Sequence, residues 1–119
     1  GCNFFGGYPI TPANEISERM SQRLPEVGGI FVQGEDELCS IYALAGESLA
    51  GAKVMTATAS AGFNYMQEGL GYCYAIEAPI VVSYALLRCK SCTTMLYGHS
   101  IYRKPIGTRS LSCPKPPLP

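Results

Sequence analysis

The chain has 119 residues, 47% of them hydrophobic, which is enough to build the core of one domain. Its net charge is zero, and no apolar run reaches the ~18 residues that a membrane-spanning helix needs. The first residues also lack the charged and apolar regions of a signal peptide. We therefore expect a soluble, cytoplasmic protein with no membrane partner. Because the chain begins at Gly1 without an initiator Met, we also expect a segment of something longer.

The zero net charge hides an asymmetry along the chain. Residues 1–87 hold all nine acidic residues and three basic ones, whereas residues 88–119 hold six basic residues and no acidic one. The second part also contains five of the nine prolines, and it shows no sustained helical or strand period. We predict a boundary near Leu87, with a domain at residues 1–87 and an aberrant basic tail at residues 88–119.

Before that boundary, short β-rich runs alternate with helical segments. The runs are residues 3–5, 29–32, 53–58 and 79–83. Alternation of this kind is typical of βαβ units. The sequence therefore predicts an α/β fold with a parallel sheet and flanking helices.

The helical segments have recognisable ends and apolar faces. Thr11 and Pro12 supply an N-cap and a first-position proline, so the first helix should begin there and stop before Pro25. The second helix has a core-facing stripe at Leu38, Ile41, Tyr42, Ala45 and Leu49. The third should run from about residue 62 to 76, with glycines that permit close packing at 62, 69 and 71, and with Phe63, Met66, Leu70, Cys73 and Tyr74 facing inward.

Sites in parallel sheets lie outside the carboxyl ends of the strands. Three turns matter here: residues 6–11, 34–37 and 59–62. None of them is a G-x-G-x-x-G phosphate-binding fingerprint. The second follows residues 31–33, which should end a buried strand, and it carries three carboxylates in a row. Since such turns usually hold anions through backbone N–H groups, the carboxylates need another explanation.

The helical phase separates the acids. Asp36 should face water, whereas Glu37 shares a flank with Ile41, Leu44 and Ser48, which is unusual company for a solvated acid. One interpretation is that all three acids only complement the helix dipole. The other is that Glu37 is buried and shares a proton with a nitrogen of a ligand.

Four sequence blocks in order carry a family resemblance: "GGYPITPANEI", "LPEVGGIFVQGEDELCSI", "SLAGAKVMTATASAGF" and "EAPIVV". Together they resemble the alpha subunit of the 2-oxoacid:ferredoxin oxidoreductases, in the domain that holds the pyrimidine half of thiamine diphosphate. The resemblance covers residues 1–82 and implies oxidative decarboxylation of a 2-oxo acid with CoA and ferredoxin. The blocks "LPEVGG" and "GEDE" favour 2-oxoglutarate as the acid.

The resemblance also implies roles for particular residues. Glu37 matches the family glutamate that binds the pyrimidine ring nitrogen and shares a proton with it, which makes it both a cofactor-binding and a catalytic residue. Thr11, in "YPITP", matches a threonine near the substrate and the aminopyrimidine. Its alternative role is a simple N-cap, and the two roles are compatible.

Several family features are missing from the chain. No Gly-Asp-Gly stretch is present to hold Mg and the cofactor diphosphate, and no set of cysteines fits an iron–sulfur cluster. The resemblance implies that a beta subunit supplies these groups, so this fragment alone should be inactive.

The resemblance ends in the tail. The family continues after "APIVV" with an arginine that binds the substrate carboxylate, but Arg88 falls one residue late and no Gly-Pro-Ser-Thr-Gly follows it. With the charge reversal, this predicts a frameshift from about residue 84, and a genuine divergent tail is the alternative.

A function of another class remains open for the tail. Cys89, Cys92, His99 and Cys113 form a weak candidate zinc set whose spacing matches no common zinc finger. The alternative function is therefore a small zinc-dependent nucleic-acid-binding module. The enzyme-fragment interpretation expects no metal ligands in this chain and no nucleic acid.

Overall fold

The structure, a computed structural model, describes residues 1–85. These residues form a four-stranded parallel sheet with helices on both faces. The sheet order is β2-β1-β3-β4. The elements in chain order are β1 (Phe4–Gly7), α1 (Asn14–Glu26), β2 (Ile30–Gln33), α2 (Glu37–Leu49), β3 (Val54–Ala59), α3 (Ser60–Tyr65), α4 (Gln67–Ala75) and β4 (Ile80–Ala85). The predicted α/β fold with a parallel sheet is confirmed.

Successive side chains of the strands pack into two separate hydrophobic cores, one on each face of the sheet. Phe4 joins a core that lies under α2 and α4, whereas its neighbour Phe5 joins a second core under α1. Ile41 and Leu44 of α2 are fully buried in the first core. This alternation follows from the two-residue period of a strand, which sends successive side chains to opposite faces of the sheet.

The parallel arrangement brings the carboxyl ends of all four strands to one edge of the sheet. The backbone N–H of Gly34 donates to the carbonyl of Gly7 at 2.9 Å, which ties the turn after β2 to the end of β1. β1 and β3 are adjacent although α1, β2 and α2 lie between them in sequence. The turns after β1, β2 and β3 therefore meet at the same edge.

The first helix differs from its predicted bounds. The N–H of Ala13 donates to the carbonyl of Ile10 at 2.7 Å, and this turn delays the helix until Asn14. Thr11 is therefore not the N-cap, and no side chain caps α1. The helix also runs through Pro25 to Glu26. A proline in the last turn loses one helical hydrogen bond at a point where the helix is ending anyway.

The second helix is rotated relative to its predicted stripe. Its buried residues are Glu37, Ser40, Ile41, Leu44, Ala45 and Ser48, whereas Tyr42 and Leu49 are exposed. The predicted flank of Glu37 is thus the face that meets the sheet. Ser48 is tolerated there because its hydroxyl donates to the carbonyl of Pro79 at 2.9 Å.

The third predicted helix is divided in two at Met66, whose backbone leaves the helical region. Met66 and Cys73 are fully buried as expected, but Tyr74 is exposed. A side chain added at Gly69 would collide with Ile41, so the predicted close approach is present there, whereas the space around Gly71 is open.

The second strand also departs from expectation. Residues 31–33 were predicted to end a buried strand, but β2 is an edge strand of the described sheet and Ile30 and Val32 are exposed. An apolar composition alone does not distinguish a central from an edge strand. No helix in residues 1–85 is long and apolar enough to cross a membrane.

Candidate functional site

The turn between β2 and α2 is held by its own polar groups. Asp36 is the N-cap of α2, and its carboxylate accepts a hydrogen bond from the backbone N–H of Cys39 at 2.6 Å. Ser40 donates its hydroxyl proton to the carbonyl of Asp36 at 2.9 Å. Of the three consecutive acids, Asp36 therefore has a structural role, and Glu35 is exposed. Only the third remains to be explained.

Glu37 lies in the first turn of α2 and is buried, with 7% of its surface exposed. Its carboxylate points at the backbone of Gly62, where an added β-carbon would overlap Oε1 and approach Cδ to 2.9 Å. The same β-carbon would overlap the hydroxyl of Thr58. Glycine is thus required at position 62, because the Glu37 carboxylate and the Thr58 hydroxyl both approach its backbone closely. The small space that these two groups and Gly62 enclose is called the cradle below.

Two threonines of β3 line the α2 face of the sheet with unsatisfied hydroxyls. Thr56 and Thr58 are each 1% exposed, and neither Oγ1 has a hydrogen-bond partner within residues 1–85. A buried polar atom without a partner costs about 1–3 kcal/mol, so each one calls for an explanation such as a bound ligand or water. Thr58 is the one that borders Glu37.

Thr11 lies on the loop after β1, at the same edge of the sheet as Glu37. It is exposed, and its hydroxyl accepts a hydrogen bond from the side-chain amide of Asn14 at 3.2 Å. The hydroxyl bonds no helix N–H, which removes the simple N-cap interpretation. The site role predicted for Thr11 remains a prediction.

The thiols of two cysteines are unsuited to nucleophilic chemistry. Burial raises the pKa of Cys73, which is fully buried. Burial also raises the pKa of Cys2, whose Sγ donates a hydrogen bond to the carbonyl of Phe4. Because the thiolate is the reactive form, both side chains should stay inert near neutral pH.

The remaining candidates fall in the tail. Arg88, Cys89, Cys92, His99 and Cys113 lie outside the described residues, as does the predicted boundary near Leu87. Within residues 1–85, no group of three or more His, Cys, Asp or Glu side chains could hold a metal ion.

Sequence reasoning selected Glu37 but missed Thr58 and the contact that explains Gly62. A signal for Thr58 was present, because Thr56 and Thr58 occupy alternate positions of a strand that is otherwise apolar. On a central strand, that spacing puts two hydroxyls on one buried face. Whether that buried face also meets Glu37 depends on the order of the strands in the sheet.

Comparison with known proteins gives a consistent assignment. Residues 1–95 match the family described as pyruvate flavodoxin/ferredoxin oxidoreductase, thiamine diphosphate-binding. The chain is 56% identical over 82 residues to the 2-oxoglutarate synthase subunit KorA of Archaeoglobus fulgidus, covering 69% of this chain and 24% of that one. It is 43% identical over 82 residues to the ketoisovalerate oxidoreductase subunit VorB of Methanothermobacter thermautotrophicus, covering 69% and 23%.

A solved structure agrees with the sequence matches. It is the 2-oxoglutarate:ferredoxin oxidoreductase from Magnetococcus marinus with 2-oxoglutarate, coenzyme A and succinyl-CoA bound. It shares 43% identity with this chain at a TM-score of 0.72, covering 76% of this chain and 16% of that one. The chain thus spans about a quarter of the length of the KorA and VorB relatives. It belongs to the pyruvate flavodoxin/ferredoxin oxidoreductase family, within the thiamine diphosphate-binding domain of that family.

Proposed function

We propose that this chain is the part of a 2-oxoacid:ferredoxin oxidoreductase alpha subunit that holds the pyrimidine half of thiamine diphosphate, through Glu37. The observation that carries the proposal is the buried carboxylate of Glu37 facing the bare backbone of Gly62 at the carboxyl edge of a parallel sheet. This edge is where α/β sheets bind ligands.

The chemistry of the described residues fits a pyrimidine ring better than a phosphate. A phosphate site would present backbone N–H groups without a carboxylate, whereas Glu37 would repel the anion. A neutral ring nitrogen can instead share a proton with a buried acid. The unpartnered Thr58 hydroxyl beside Glu37 supports a polar ligand at this point, since it leaves hydrogen-bonding capacity unused.

In the proposed reaction, the chain acts by holding a proton and excluding water. Thiamine diphosphate, when bound, supplies the electron sink for decarboxylation of the 2-oxo acid. Glu37 would hold a proton at the ring nitrogen, where its burial keeps water from competing. Asp36 would fix the start of α2 and so the direction from which Glu37 approaches. The exposed hydroxyl of Thr11 would contact the substrate at the same edge.

The favoured substrate is 2-oxoglutarate, which would lose carbon dioxide and pass its remaining acyl group to CoA while ferredoxin takes up the electrons. The relatives named 2-oxoglutarate synthase subunits are more similar to this chain than the ketoisovalerate subunit is. The solved neighbour was obtained with 2-oxoglutarate and coenzyme A bound. Ferredoxin would accept the electrons, as the names of the related enzymes indicate.

The chain would work only as part of a larger assembly. The relatives are named as subunits, and this chain covers a small fraction of each. We propose that a beta subunit supplies the Mg and diphosphate site and the iron–sulfur cluster, as the resemblance to the family implies. We further propose a cytoplasmic location.

The test is Glu37→Gln in the full-length alpha subunit assembled with its beta subunit. The change keeps the size of the side chain and removes the acid. We expect turnover with 2-oxoglutarate to fall by about 10²- to 10⁴-fold, the range for a lost acid–base group. Viologen or ferredoxin reduction measures turnover, and exchange of the cofactor C2 proton measures its activation directly.

The matched control is Glu35→Gln, the same chemical change at an exposed neighbour. Asp36→Asn is a second control, because asparagine caps a helix about as well as aspartate. Both variants should keep turnover and C2 exchange near the wild-type values. Unchanged C2 exchange in Glu37→Gln would reject the assignment of Glu37.

A further inference from the structure

The hydroxyl of Thr58 has no structural function within the described fold. It is 1% exposed and unpaired, on a strand whose backbone is already bonded to β1 and β4. Valine would fill the same space without an unsatisfied polar atom. A hydroxyl in this position is therefore expected to have a partner in the functional state of the protein.

Glu37 is the polar neighbour that the geometry offers. A single β-carbon built at Gly62 would overlap both the Thr58 hydroxyl and Oε1 of Glu37. The two oxygens therefore border the same small space, although no hydrogen bond joins them. A hydroxyl can donate to a carboxylate, and a bond to a charged acceptor is about twice as strong as one between neutral groups.

We propose that Thr58 is a positioning residue for Glu37. Its hydroxyl donates to one carboxylate oxygen and so directs the other oxygen toward the ring nitrogen of the bound cofactor. This inference rests on the proposed function, because it assumes that Glu37 meets a ring nitrogen. It predicts that the Thr58 hydroxyl increases the affinity for the cofactor only when that nitrogen is present.

Thr56 provides a matched control within the same strand. It lies two residues earlier on the same face of β3, and it is equally buried and equally unpaired. It is about 7 Å farther from the carboxyl edge, given the rise of a strand, and the three atoms nearest to a β-carbon at Gly62 belong to Glu37 and Thr58 instead. A general effect of removing a buried hydroxyl should appear at both positions, and a positioning effect only at Thr58.

The experiment measures cofactor affinity in the full-length assembled enzyme. The variants are Thr58→Val, Thr58→Ser, Thr56→Val and Glu37→Gln. Each is titrated with thiamine diphosphate and with its 1′-deaza analogue, in which carbon replaces the ring nitrogen. Thermal unfolding without cofactor is measured alongside, as a readout of fold stability.

We expect Thr58→Val to bind thiamine diphosphate about 10- to 100-fold more weakly, which corresponds to one hydrogen bond to a charged group. Its affinity for the deaza analogue should be unchanged, and its unfolding temperature should not fall. Thr58→Ser should restore wild-type binding, and Thr56→Val should behave like the wild type. Equal losses for both ligands, no loss at all, or failure of serine to rescue would each overturn the inference.

Glu37→Gln separates this inference from the proposed function. It should lose affinity for thiamine diphosphate selectively, as Thr58→Val does. If Glu37→Gln is selective and Thr58→Val is not, the inference fails while the proposed function stands. If Glu37→Gln binds both ligands as the wild type does, the proposed function itself fails, and the inference fails with it.

Discussion

At the scale of single residues, three consecutive acids occupy three different environments. Glu35 is exposed, Asp36 caps α2, and Glu37 is buried against Gly62. A local explanation based on the helix dipole describes Asp36 well but leaves the burial of Glu37 unexplained. Burying a carboxyl group is costly unless something compensates. A ligand that shares the proton is the compensation that the proposed function supplies.

The cradle at Gly62 gives a direct prediction. Gly62→Ala should push the Glu37 carboxylate away, because the new methyl group would occupy the space between Glu37 and Thr58. We expect weaker thiamine diphosphate binding and a free energy of unfolding lower by about 1–3 kcal/mol, as in overpacked cores. Calorimetric titration and chemical denaturation of the assembled enzyme measure these effects.

The control is Gly71→Ala, a helical glycine with open space around it. It should leave cofactor affinity unchanged and raise the free energy of unfolding by about 0.5–1 kcal/mol, because alanine favours a helix. Wild-type affinity in Gly62→Ala would contradict the contact that the structure shows.

At the scale of secondary-structure elements, α2 shows why an apolar pattern does not define a helix orientation. Its sequence is apolar on two overlapping faces, so more than one stripe satisfies the helical period. The face that packs on the sheet contains Ser40 and Ser48, which pattern analysis counts against burial. Their hydroxyls donate to the carbonyls of Asp36 and Pro79, so they are buried at little cost.

The rotation of α2 can be tested by truncating one leucine from each face. Leu44→Ala should lower the free energy of unfolding by about 2–5 kcal/mol, because Leu44 is fully buried between α2 and the sheet. Leu49→Ala should change it by less than about 0.5 kcal/mol, because Leu49 is 64% exposed. Urea denaturation compares the two, and a larger loss at Leu49 would support the stripe that the sequence pattern predicts.

At the scale of the whole molecule, the candidate site is assembled from segments far apart in sequence. Glu37 follows β2, whereas Thr58 and Gly62 lie at the end of β3 and the start of α3. The crossover from β2 through α2 to β3 returns the chain beside β1, and this brings the segments together. The turn after β1, with Thr11, reaches the same edge from between β2 and β3.

The tail gives a prediction about the gene. If the reading frame slipped near residue 84, the genomic DNA across codons 80–119 should encode the continuation of the family sequence in another reading frame. We expect an arginine followed by a Gly-Pro-Ser-Thr-Gly-like stretch, as the resemblance implies. Resequencing that confirms the printed frame, with no such peptide in the alternatives, would identify the tail as genuine and make Arg88 worth mutating.

The sequence by itself determined the α/β class and the order of the elements, and it singled out Glu37 as a candidate, because these depend on local periodicity, turn residues and shared sequence blocks. It did not determine the bounds of α1, the orientation of α2 or the break at Met66, since these depend on hydrogen bonds and contacts with other elements. Only the tertiary structure brought Thr58 and Gly62 to Glu37, because strand order is a long-range property that no local pattern contains.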